Sequence, residues 1–413
     1  MNILYIATDV KFPHPNGGSR RVRETANIFK MNGHNVSVLV DKKPNQPSYE
    51  NWRGIHIYRK KMINIGVCVR KIINLFTKPK KETPIDTSYT DFHNPKPDEE
   101  HTFKDDMVEL YRNYLPIHKW VKNITAYPLI KKIIRKHRID AIIERSSSYG
   151  AGSSFSKIYI VDFIDILYSR RVLRKADGIL SYFTTSQIPS FVPRNKIKTV
   201  NTCVDPEEFC HYAPIPEYVE EFGVTKDDFV VMYTGGMYGW HGLDILIKAA
   251  RILQNRNIKN VKFIIIGDGD IKEQLIYLKE DLDLGETVKF VDAKPMGEIP
   301  YCLSVADIGV SLNNGDSVGF KLMEYMSCSL PTIITDGLII PYVGEDNKHF
   351  FVIESNNIHQ LADKIIELSK KPELLEEVGL NAMGRILEKH KWEHHYDNIM
   401  DLIMEIRMKK HLW

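Results

Sequence analysis

No stretch of this 413-residue chain approaches the roughly 18 consecutive apolar residues that a membrane-spanning helix needs. Cysteine is sparse. The five residues, at 68, 203, 210, 302 and 328, show no CxxC spacing, so neither a zinc site nor a disulfide framework is indicated. Reduced thiols in a cytoplasmic protein are the expectation. Neither sign of charge dominates: 56 basic against 53 acidic residues leave +3, too near balance to argue for nucleic acid as a partner. The opening strand–helix–strand unit lacks GxGxxG, so no dinucleotide cofactor is implied. A strand begins almost at once and Asp9 follows it, a pattern without a secretory signal.

What is present is a globular composition, 43% hydrophobic and 26% charged, at a length that suggests two domains. Asn2–Ala7 is a continuous apolar run, as expected for a strand buried on both faces. A loop with Gly17 and Gly18 and a helix through Arg23, Ala26, Ile28 and Phe29 follow, then a second strand at Val36–Val40. The same alternation restarts at Phe229–Tyr233, with Gly235 and Gly236 in its turn and a helix over Leu243–Leu253. Val261–Ile266 and Val288–Val291 continue the series.

The organising stretch is Asp316–Pro331. It lies between apolar runs at 307–312 and 332–335, so it reads strand, loop, helix, strand. In open α/β sheets such a loop and helix start lie at the carboxyl ends of the strands, where ligands bind. Free N–H groups there suit a phosphate. Lys321 adds a cation in the first turn, and Glu324 one turn later is placed to accept two hydroxyl hydrogen bonds from a ribose.

This stretch resembles the donor-site signature of the family-four glycosyltransferases: two acidic residues separated by seven, then a small-x-Gly-x-Pro ending. Here it stands as Asp316, Glu324 and Ser327-Cys-Ser329-Leu-Pro331, with Asp for the usual Glu and Ser329 for the usual Gly. Gly17 and Gly18 match the family's Gly-Gly loop. Glu144-Arg145 followed by Ser-Ser-Ser-Tyr149-Gly150 resembles its acceptor-side segment, and Thr202-Cys203-Val204-Asp205 its interdomain linker. Gly239-Trp240-His241-Gly242 resembles its Lys-Gly element, with His241 for Lys, while Met237 lies near the usual Arg. No His matches the acceptor-side group that many relatives carry near residues 162–165.

The resemblance implies an α/β protein of the GT-B class, two Rossmann-like domains with parallel sheets facing across a cleft. Residues 1–203 form the acceptor domain, 204–391 the donor domain, and a final helix over about 392–413 packs back on the first. It implies retaining transfer from a UDP- or GDP-linked sugar to a glycan or lipid-linked acceptor in surface polysaccharide or glycoconjugate synthesis, without metal or cofactor. Asp316, Lys321 and Glu324 are the catalytic candidates. Gly17, Gly18, Gly235, Gly236, His241, Gly242, Ser317, Val318, Gly319 and Phe320 are donor-binding candidates, and Glu144 and Arg145 stand on the acceptor side. Protonation of His241 near its reference pKa of about 6.5 is expected to raise donor affinity as pH falls. A catalytically inactive nucleotide-binding scaffold and a sugar-nucleotide epimerase are the alternatives.

Between Tyr58 and Lys81 the chain has eight Lys or Arg and no acid, with Ile65, Val69, Ile72, Ile73 and Phe76 at helical spacing. Lys131–Arg138 is a second basic patch. These segments read either as surfaces lying on an anionic membrane, which would make the protein peripheral on the cytoplasmic face, or as core helices with solvated basic faces.

Overall fold

The structure, a computed structural model, describes residues 1–8, 10, 12, 17–61, 115–148, 150–163, 170–182, 188–313, 319–338 and 340–412, without the side chains of 115–125 and 147. The candidates Asp316, Ser317 and Val318 lie outside the described residues, as does the basic segment beyond Lys61. The chain divides into two compact units. One comprises Met1–Phe12, His34–Val161 and Asp165–Ala176, the other Pro13–Gly33, Asp162–Ile164 and Asp177–Trp413.

In the first unit β1 (Asn2–Ala7) pairs in parallel with β2 (Asn35–Lys42) on one side and with β5 (Ala141–Arg145) on the other. Neighbours on both edges and cover on both faces explain why β1 reads as an unbroken apolar run. β4 (Ile55–Lys61) follows β2 in parallel, and β3 (Tyr49–Trp52) closes the edge antiparallel to it. With β6 (Ile158–Phe163), the order in this unit is β3-β4-β2-β1-β5-β6.

The β3–β4 hairpin was not anticipated from sequence. Its two-residue turn is Arg53-Gly54, both with positive φ (50° and 81°), the backbone of a type I′ turn without the usual Asn-Gly wording. Tyr58–Lys61, read as the start of a basic helical segment, is strand instead. Arg59 and Lys60 are buried there because acids meet them: Glu50 at 2.6 Å and Asp41 at 3.4 Å. The Lys131–Arg138 patch is helical as expected, ending the helix Leu115–His137 (α2). Ile130 and Ile133 face the core, while Lys131, Lys132, Arg135 and Lys136 are exposed.

The second unit holds a six-stranded all-parallel sheet in the order β11-β10-β9-β12-β13-β14: Val288–Val291, Val261–Ile266, Phe229–Thr234, Ile308–Ser311, Thr332–Thr335 and Phe351–Ile353. Alternate residues go to opposite faces. Phe229, Val231 and Tyr233 join one core with Phe263 and Ile265, while Val230 and Met232 join another with Ile264 and Ile266. The helix Leu243–Asn255 (α5) covers the first face and the helix Phe320–Ser327 (α8) the second. Strand order reverses between β9 and β12, so the carboxyl ends of these two strands form the topological switch point where open α/β sheets bind ligands.

The helix Gly17–Met31 (α1) belongs to this second unit. It packs on the last helix, Trp392–Lys409 (α12), through a 3.2 Å Thr25–His395 hydrogen bond and a T-shaped Phe29–Tyr396 pair.

Candidate donor site

β9 ends at Thr234, and the turn that follows carries Gly235, Gly236 and Met237, then a 3-10 turn at Gly239–His241. Gly242 links that turn to α5 with φ 63° and ψ 25°, a left-handed conformation. A side chain there would also meet the Leu312 carbonyl oxygen at 2.5 Å, so glycine is required on two counts. Met237, near the family's usual Arg, is fully buried in the core and contributes no charge.

α8 is fixed against the same strand end. Tyr325, fully buried, accepts a 2.6 Å hydrogen bond from the Thr234 backbone N–H, and its ring fills the space opposite Gly309. Ser327 donates to the Phe209 carbonyl at 2.5 Å. Ser329, which replaces the family's Gly, has φ 56°: the backbone adopts the left-handed turn that makes glycine usual there.

Locked in this way, α8 carries Lys321 and Glu324 into the site. The Lys321 ammonium is buried, makes no hydrogen bond among the described residues, and lies 3.6 Å from the Tyr233 ring centroid. Burial pushes its pKa down to about 7, against the opposing pull of Glu324. Gly235 borders it: a side chain at 235 would stand 3.3 Å from Lys321 Cε.

Glu324 is ion-paired with Arg20, one turn into α1. Arg20 is 2% exposed, and its guanidinium lies between Phe209 and Phe320, 5.0 Å from each centroid. Glu208 stands 3.8 Å from Nη2. Gly17 and Gly18 open the same helix, and a side chain at 17 would touch the Phe320 ring at 3.3 Å. The structure therefore brings together Gly17, Gly18, Gly235, Gly236, His241, Gly242, Phe320, Lys321 and Glu324 within the second unit.

His241 takes a different part from the one expected. Its Nδ1 lies 2.5 Å from the Gly236 carbonyl and 2.8 Å from the Tyr233 hydroxyl. A carbonyl only accepts, so Nδ1 carries the proton and Nε2 is left as an acceptor. Burial, then the charge of Lys321, push the imidazole down to about 4, outweighing the Gly236 hydrogen bond. His241 is thus neutral across the physiological range and cannot supply the pH dependence near 6.5. Lys321 is the group poised to titrate near neutrality.

The acceptor-side candidates belong to the first unit. Glu144 and Arg145 are the last residues of β5 rather than loop residues beyond it. Glu144 is fully buried and accepts from the Ala151 and Gly152 backbone N–H groups, both at 2.8 Å, and from the Tyr159 hydroxyl at 3.0 Å. It holds the turn after β5. Desolvation raises its pKa to about 7 despite these bonds. Arg145 is also buried. Cys203 is 1% exposed, and burial pushes its thiol up, away from the reactive thiolate.

Arg20, Glu208 and Tyr233 were not singled out in the sequence. The signal for Arg20 was present, two arginines directly after Gly17-Gly18-Ser19, but its partner Glu324 lies 304 residues away. Among the described residues no group of three or more His, Cys, Asp or Glu is placed to hold a metal ion.

Two largely parallel α/β sheets, the second with glycine-rich loops at its switch point, are the arrangement of the GT-B fold, and known structures match throughout. Sucrose-phosphate synthase from Thermosynechococcus elongatus superposes with a TM-score of 0.74 at 14% identity, over 99% of both chains. Anabaena HepE, solved in complex with UDP and glucose, gives 0.68 at 16% identity, over 98% of this chain and 100% of that one. At such identities these matches establish the fold. Residues 214–385 match the family described as glycosyl transferases group 1. The poly(ribitol-phosphate) alpha-N-acetylglucosaminyltransferase of Staphylococcus aureus is 31% identical over 155 residues, 37% of this chain and 30% of that protein. The matched regions span 30% to 51% of the length of the first curated relatives.

Proposed function

We propose that this protein transfers a sugar, with retention of configuration, from a nucleoside-diphosphate sugar to a glycan or lipid-linked acceptor in surface polysaccharide or glycoconjugate synthesis. The observation that carries the reading is the buried Lys321 ammonium, without a hydrogen-bond acceptor among the described residues, at the switch point of the sheet. Burial leaves that charge poorly compensated, its pKa lowered to about 7, so an anion entering beside it would hold it protonated, and the glycine-rich Gly235–Gly242 turn borders it. A diphosphate supplies that anion. As the bond between the sugar and the diphosphate breaks, negative charge grows on the leaving oxygen, and a pre-placed cation stabilises that state more than the ground state. Glu324 would accept the ribose hydroxyls. Asp316, eight residues before it, is proposed for the sugar hydroxyls on the strength of the family signature.

Relatives support the choice of substrates. HepE is described with UDP and glucose, and the Staphylococcus protein is named as an N-acetylglucosaminyltransferase acting on a poly(ribitol-phosphate). Among the described residues no helix is long and apolar enough to cross a membrane. The exposed Lys131, Lys132, Arg135 and Lys136 of α2 favour contact with an anionic lipid surface, as a lipid-linked acceptor would require.

One experiment tests both parts. UDP- and GDP-linked hexoses are offered in turn, with glycan or lipid acceptors free or embedded in vesicles containing anionic lipid, and donor and product are read by mass spectrometry. Donor consumption with a new glycoside is expected, faster on vesicles. Sugar interconversion without acceptor, or no donor consumed at all, would contradict the transferase reading. Equal rates with and without vesicles would contradict the membrane contact.

A further inference from the structure

The buried charges of the second unit are not balanced by an ordinary ion pair. Arg20 meets Glu324 end-on, through Nη1 and Oε1 alone, rather than as a two-pronged fork. Its Nε and Nη2 are buried and make no hydrogen bond among the described residues, and the Glu208 carboxylate, at 3.8 Å, is beyond hydrogen-bond reach. Stacking between Phe209 and Phe320 fixes the guanidinium plane, so those N–H groups are aimed rather than loose. Lys321, one turn before Glu324 on α8, is a second buried cation without a hydrogen-bond acceptor among the described residues. Glu324 is thus the near carboxylate for both buried cations, with Glu208 a longer-range partner of Arg20, and one of the two oxygens that a ribose would use is taken by Arg20.

We propose that Arg20 is an anion-binding residue held in reserve by Glu324. When a nucleoside diphosphate enters, the Arg20 guanidinium turns to a phosphate oxygen, and Glu324, released, accepts the ribose hydroxyls. The proposal rests on the donor-site reading above and adds a residue from α1 to it. It also answers where a second phosphate-facing cation comes from, since Met237 is in the core and His241 is neutral. The exchange makes the two halves of the nucleotide cooperative: phosphate draws Arg20 away, which opens Glu324 to the ribose.

The test separates the halves. Inorganic pyrophosphate and the nucleosides uridine, guanosine and adenosine are titrated by calorimetry against wild type, Arg20→Gln and Glu324→Gln. The exchange predicts opposite signs. Arg20→Gln weakens pyrophosphate at least tenfold and strengthens the preferred nucleoside severalfold. Glu324→Gln strengthens pyrophosphate severalfold and weakens the nucleoside at least tenfold. Should Arg20→Gln fail to fold, Glu324→Gln carries the test alone through its two opposite shifts. A merely structural ion pair would leave both ligands unmoved or shift them the same way, and either result overturns the exchange. Wild type binding neither pyrophosphate nor any nucleoside would overturn the donor site itself, and the exchange with it.

Discussion

Lys321→Met is expected to lower glycosyl transfer by about 10²–10³-fold, the usual cost of removing one pre-placed donor to a developing oxyanion, while making the folded protein more stable. The two effects share one cause. The folded-state pKa of Lys321 is depressed from 10.5 to about 7 by burial, so the unfolded chain binds this proton more readily than the folded one. The resulting penalty is absent above about pH 10.5, grows as pH falls through the interval, and is complete below about 7. Methionine has a similar shape and no charge to desolvate. A gain of up to a few kcal/mol near pH 7 is expected, the attraction to Glu324 being already included in the lowered pKa. Donor affinity should carry the same titration with a functional sign. In wild type it is highest below about pH 7 and falls roughly tenfold per unit above it, because the anion must then recruit a proton to Lys321. In Lys321→Met the profile should be flat. A variant that keeps full transfer, or a wild type whose donor affinity does not change between pH 6 and 9, would contradict this role.

Gly242→Val should be strongly damaging. A β-branched side chain at φ 63° is strained, and its Cβ would lie 2.5 Å from the Leu312 carbonyl oxygen. That neighbour is backbone leading out of β12, so no rotamer change relieves the clash, and the β9 turn and the end of β12 must separate. A loss of roughly 3 kcal/mol or more is expected, combining backbone strain and overpacking, together with loss of nucleotide binding where the variant still folds. Gly239→Ala is the control: nothing lies within 4 Å of a side chain there, so the change should stay within about 0.5 kcal/mol. Denaturant melts of both variants decide the matter, and equal midpoints would contradict the geometry.

Much of this architecture was legible because both faces of the parallel strands are covered. Asn2–Ala7, Phe229–Thr234 and Val261–Ile266 can then be continuous apolar runs, which local pattern reveals. The candidate site was legible in the same way where its residues are close in sequence: Lys321 and Glu324 share a helix, and Gly235, Gly236, His241 and Gly242 share a turn. What pattern could not show were facts made by packing. Arg20 reaches Glu324 only because α1 packs in the second unit. His241 has a family cation's position but a neutral ring, because desolvation and Lys321 outweigh its one favourable bond. Arg59 and Lys60 are strand residues whose charges are met by Glu50 and Asp41, so Tyr58–Lys61, which look like the start of a basic helical face, are part of an internal strand. Glu144 matches an acceptor-side motif, yet its oxygens hold Ala151, Gly152 and Tyr159.

The most direct test of the central claim, that the second unit binds a nucleoside diphosphate through Lys321, is the thermal midpoint of wild type and Lys321→Met with UDP, GDP and ADP, each beside its nucleoside. A ligand at a hundred times its Kd stabilises by about 2.7 kcal/mol, well within reach of such a melt. The account predicts that one diphosphate raises the wild-type midpoint clearly more than its nucleoside does, and that Lys321→Met loses that extra gain. No shift with any diphosphate, or the same shift in Lys321→Met, would contradict it.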